Sequence, residues 1–117
     1  MRRDRGYLYP EWELVAREAT EFTEAYNELY RQALASDRGL PVKYRELVAL
    51  GILAFRGETQ GLVNHIRRAI DHGATRAEVL GAIQAMLIPG GGVAFLNGLR
   101  ALAKLDADRT TTKKRGS

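Results

Sequence analysis

The sequence predicts an all-α domain of about five helices, and three observations carry that reading. Apolar residues recur at helical spacing, the interruptions fall at proline and glycine, and no segment alternates with the two-residue period of a strand. The first helix is expected from about Pro10 to Ala35. Trp12, Val15, Ala19, Phe22, Tyr26, Leu29 and Ala33 follow at spacings of three and four and form one seam, with Glu18, Glu21, Glu24 and Glu28 on the other positions. Pro10 suits a first helical turn, and Glu11 and Glu13 suit its positive end.

Asp37 and Gly39 mark a break, after which Pro41 opens a second helix. That helix is apolar almost all round between Glu46 and Arg56, the pattern of an element covered on most sides. Gly57 ends it. A third helix is expected from Glu58 to His72, closed by Gly73 as a left-handed cap with His72 at its negative end. Thr75-Arg76-Ala77-Glu78 has the pattern of a capping box, in which a Thr hydroxyl and a Glu carboxylate satisfy each other's backbone N–H groups. A fourth helix follows and breaks at Pro89-Gly90-Gly91-Gly92. No Lys-Ser/Thr follows this glycine run, so it reads as a turn and not as a phosphate loop. The fifth helix runs to about Leu105, with Gly91, Ala94, Gly98 and Ala101 as a small-residue stripe that lets another helix approach. Residues 1–105 are read as one domain and 106–117 as a disordered basic tail.

Composition narrows the function. With 45% hydrophobic and 27% charged residues, the 117-residue chain has the balance of a globular domain. Its net charge of +4 sits outside the body: residues 1–5 and 106–117 each carry +2, while 6–105 hold 11 basic against 11 acidic residues. A nucleic-acid binder needs its basic residues on a folded face, so no nucleic-acid partner is expected. No membrane-spanning run of about 20 apolar residues and no secretory signal is expected either, and the default location is cytoplasmic. The chain has no cysteine, which excludes disulfides, thiolate metal ligands and a thiol nucleophile.

Two histidines remain. His72 is explained by its helix end. His65 lies mid-helix on the shoulder of the stripe formed by Leu62, Ile66 and Ala69, with Glu58 on the same side and Gly61 one turn before it. A mid-helix glycine costs about 1 kcal/mol against alanine. In return, Gly61 would leave space beside the imidazole, so it is read as lining a substrate pocket. The competing reading is a core histidine hydrogen-bonded to a carbonyl. No second histidine stands one turn away, so no metal site is expected. Glu46, in the apolar helix, either faces inward as a proton carrier or makes surface ion pairs with Lys43 and Arg45. Counted from the turn at Gly57, Glu46 and His65 differ in height by about three residues, roughly 4.5 Å, within reach of a hydrogen bond.

Three stretches carry a resemblance. Leu40-Pro41-Val42-Lys43-Tyr44-Arg45-Glu46-Leu47 resembles a Lys-x-Arg-Glu-Leu helix. His65 to Val79 resembles His-x-x-x-Ala-x-x-x-Gly-(Ala/Val)-Thr-x-x-Glu-(Val/Ile), and Pro89 to Ala94 resembles the glycine turn that follows it. Together they are similar to the carboxymuconolactone decarboxylase and AhpD-like alkylhydroperoxidase superfamily, over about residues 8–105. The resemblance implies an all-α fold assembled as a homotrimer or homohexamer. The peroxidase branch of that superfamily has Cys-x-x-Cys-x-x-x-His preceded by a glutamate. His65 and Glu46 match the histidine and the glutamate, while Glu58 and Gly61 replace both cysteines. The decarboxylase branch has a glutamate where Gly61 stands, and a second histidine where Gln84, Ala85 and Met86 stand. The resemblance therefore implies a cofactor-independent acid–base lyase or decarboxylase for a small organic acid or lactone, with His65, Glu46 and Glu58 as catalytic residues. The alternative is a non-catalytic, small-molecule-binding member of the fold.

Overall fold

A computed structural model describes residues 10–116, and the side chains of residues 11–110. The described residues form five helices and no strands. They divide into two compact units, one ending at Val42 and the other beginning at Lys43.

In the first unit the long seam is broken. Helix α1 spans Pro10–Glu18 and α2 spans Thr20–Leu34, because Ala19 leaves helical geometry at φ −137°, ψ 68°. The Trp12 and Tyr26 rings lie 4.5 Å apart. Fourteen residues of straight helix would separate them by about 21 Å, so the chain folds back on itself at Ala19. The buried face shifts accordingly. Thr23 and Tyr30 are buried, while Phe22 and Leu29 of the expected seam are exposed.

The second unit holds the core. Helix α3, Val42–Arg56, starts where the Val42 N–H donates to the Asp37 carboxylate at 2.9 Å. Only one stripe of it is covered: Glu46, Leu50 and Ala54 are fully buried, and Val48, Ile52 and Phe55 remain more than half exposed. The expectation of a helix covered on most sides thus holds for one face alone. Gly57, at φ +77°, ends α3.

Helix α4, Leu62–Asp71, begins four residues later than the sequence suggests. Its cap residue is Gly61, at φ +92°, a left-handed conformation that glycine adopts without the steric cost other residues meet. At the other end Gly73 and Ala74 donate to the Ile70 and Ala69 carbonyls, and the His72 ring donates through Nδ1 to the Arg68 carbonyl at 2.8 Å. His72 is a helix-end residue, as its position suggests.

Helix α5, Arg76–Gly116, opens with the capping box intact. Thr75 N–H donates to Glu78 at 2.9 Å and Glu78 N–H donates to the Thr75 hydroxyl at 3.0 Å. At Gly91 (φ 84°, ψ 177°) helical geometry fails and the chain doubles back. Arg76 and Asp106, thirty residues apart, meet in a two-pronged ion pair at 2.8 and 2.9 Å, where a straight helix would hold them about 45 Å apart. The two halves pack tightly at Gly98, since a Cβ there would lie 3.2 Å from Ile83.

Two expectations change here. Residues 106–116 continue the helix instead of forming a disordered tail: no proline or glycine interrupts 99–115, and Arg76 anchors Asp106. The stretch Arg76–Thr110 is also, by length and composition alone, apolar enough to cross a membrane. Its Val79, Ile83, Ala94, Leu102 and Leu105 instead join Leu50 of α3 and Leu62 and Ile66 of α4 in one core.

Candidate active site

Helices α3 and α4 bring a carboxylate and an imidazole together inside the protein. Glu46 is on the buried stripe of α3, one turn before Leu50, and its side chain is 0% exposed. His65 is on the covered side of α4, next to Ile66, and is 5% exposed. The His65 Nδ1 lies 2.7 Å from the Glu46 Oε2. An ionised Glu46 can only accept, and in that state Nδ1 carries the proton and Nε2 is the ring nitrogen left outside the contact.

A third residue completes the cluster. Arg68, 9% exposed, places its Nε 3.4 Å from the other Glu46 oxygen, Oε1, which accepts no hydrogen bond. A carboxylate this deeply buried is tolerated only when paired. Here it has an imidazole on one oxygen and a guanidinium opposite the other. Sequence reasoning gave Arg68 no role. The available signal was its spacing, three residues after His65, which places both on one side of α4.

The other expected residues lie elsewhere. The Glu58 side chain is more than half exposed and stands 3.7 Å from Arg56. It precedes α4 instead of sharing a helical face with His65, so the structure does not bring it to the pair. Gly61 does border a groove, but one lined by Asn64, Arg67 and Arg100 and not by His65. The glycine answers to the backbone turn that starts α4, not to a gap beside the ring. No group of three or more His, Asp or Glu side chains able to hold a metal occurs among the described residues.

The fold and this buried pair define a class: an all-α protein with a carboxylate–imidazole couple between two helices and no thiol. The model of the carboxymuconolactone decarboxylase family matches residues 20–104, and the chain belongs to that family. It is also similar to a crystal structure from Burkholderia xenovorans LB400 that carries the provisional name of a carboxymuconolactone decarboxylase. That protein is 25% identical, with a TM-score of 0.73 over 95% of this chain and 89% of its own. No curated protein matches the chain in sequence.

Proposed function

We propose that the protein is a cofactor-independent acid–base lyase, acting as a decarboxylase on a small organic acid or lactone. The observation that carries this reading is the 2.7 Å contact between Glu46 and His65 within a buried cluster. Loss of CO2 from a carboxylate on the carbon α to a lactone carbonyl, or on its vinylogous position, leaves the electron pair as an enolate. The His65 ring first takes a solvent proton on Nε2, becoming an imidazolium, then delivers that proton to the carbon and returns to the Nδ1–H form. Glu46 fixes the ring's orientation and balances the imidazolium that forms in the cycle. Arg68 holds the Glu46 carboxylate in place from its other oxygen. The family name supplies the first substrate to try, carboxymuconolactone. Wild-type protein is expected to release CO2 from it or from a related lactone acid. His65→Gln and Glu46→Gln should fall to the rate without enzyme while their helical content is unchanged.

One observation favours a second reading, a binding protein without turnover. His65 lines neither of the two grooves on the 43–117 unit. Saturable binding of lactone acids by wild-type protein, with no CO2 released, would establish that alternative.

The same proposal includes assembly as a homotrimer or homohexamer. Ile52, Phe55, Ile88 and Val93 are all more than half exposed, at 55%, 66%, 88% and 73%. So much exposed apolar side chain on α3 and α5 is the signature of a face that another chain covers. Light scattering at micromolar concentration should give a multiple of 13.0 kDa. A monomer there removes this part of the proposal.

A further inference from the structure

Two grooves flank the helices of the 43–117 unit, and their chemistry differs. One, of about 740 Å³ between α3 and the first half of α5, is walled by Val48, Ile52, Phe55 and Met86 and is almost wholly apolar. The other, of about 620 Å³, runs between the start of α4 and the second half of α5, and its wall is about half polar and is basic. Arg67 lines it from α4, and Arg100 and Lys104, one turn apart, line it from α5.

These cations lack the partners found elsewhere in the molecule. Arg31, Lys43, Arg56, Arg68 and Arg76 each meet a carboxylate within 4 Å. Arg100 and Lys104 meet none among the described residues, and the Arg67 guanidinium donates to the neutral Asn64 carboxamide at 3.0 Å. The sole acid on the groove wall is Asp108, so the wall carries two uncompensated positive charges. Helix α4 begins on the same wall, at Gly61, without a side-chain cap. Its first-turn N–H groups add a partial positive charge. Asn97, 8% exposed, stiffens the wall: its Nδ2 donates to the Ala54 carbonyl at 3.1 Å and ties α5 to the end of α3.

We propose that this groove, walled by Arg67, Arg100 and Lys104, binds a small organic dianion. The ligand class is a dicarboxylate or a phosphate monoester. Arg100 and Lys104 would take one anionic group, and Arg67 with the α4 start the other. Guanidinium groups favour such oxyanions because their N–H donors match the two oxygens in a plane. The site is separate from the Glu46–His65 pair, which lines no part of it, and it stands whether or not that pair is catalytic.

The test is calorimetric titration of the full chain with succinate and, separately, with inorganic phosphate, at ionic strength held constant with sodium chloride. Wild-type protein should bind at least one probe saturably. R100Q/K104Q should bind it at least about tenfold more weakly, as expected for loss of charge-assisted hydrogen bonds, while its circular dichroism is unchanged. Preference for succinate identifies a dicarboxylate site and preference for phosphate a phosphate-ester site. Absence of saturable binding to either probe, or equal affinity in R100Q/K104Q, overturns the proposal.

Discussion

Glu46 and Glu78 are both helical glutamates with basic and polar neighbours, and the protein uses them in opposite ways. Glu78 is at the surface, where it accepts from the Thr75 N–H, from Lys43 at 3.2 Å and from the Tyr44 hydroxyl at 3.1 Å. Those donors hold its carboxyl down at about 2, the Thr75 N–H contributing most and Lys43 next. Glu46 is wholly buried and has a titratable partner, His65, at 2.7 Å and Arg68 at 3.4 Å. A solvated carboxylate surrounded by fixed donors is locked in one charge state over most of the pH range and serves the fold. A buried one coupled to an imidazole can pass a proton, and is therefore the candidate for chemistry.

The comparison breaks most readily at Glu46. Glu46→Ala leaves Arg68 buried without its carboxylate and should cost about 3–5 kcal/mol in urea unfolding. A loss below about 1 kcal/mol would mean that the carboxylate is not buried in solution.

Gly61→Ala gives an effect of intermediate size whose sign is informative. At φ +92° an alanine is strained, and destabilisation of about 1–2 kcal/mol is expected. Were Gly61 instead inside the helix that carries His65, alanine would stabilise by about 1 kcal/mol.

Glu78→Gln should have the smallest effect at neutral pH and a distinctive one in acid. Because the folded carboxyl is depressed from 4.5 to about 2, its contribution is fully present above 4.5 and fades as pH falls toward 2. Thermal melting across that window should therefore fall less steeply in Glu78→Gln than in wild-type protein. Parallel curves would show that the surface network contributes nothing to folding.

The two glutamates also mark how far the sequence could be read. The Thr75–Glu78 box was legible because its donors and acceptors lie within four residues, and the structure closes both bonds. Glu46 and His65 are nineteen residues apart. Their meeting could still be anticipated from helix heights about the Gly57 turn, since that needs only the rise per residue. What depended on backbone detail was not legible. Ala19 breaks the first helix without a proline or glycine to announce it. Gly61 looked like a gap in a helix and is the turn before one. The bend at Gly91 falls within the expected Pro89–Gly92 break, but the Arg76–Asp106 contact it permits joins residues thirty positions apart, and the helix beyond Asp106 occupies a segment that composition alone reads as a tail. Arg68 was overlooked because arginine is rarely buried unless paired, and its carboxylate partner is on another helix.

The central claim is that Glu46 and His65 act as one buried unit, and nitrogen NMR of the imidazole rings tests it most directly. The account predicts a His65 Nδ1–H proton protected from exchange with water, with a chemical shift that moves strongly in Glu46→Gln while the His72 ring is unaffected. A neutral His65 ring carrying its sole proton on Nε2, or an Nδ1–H signal indifferent to Glu46→Gln, would contradict it.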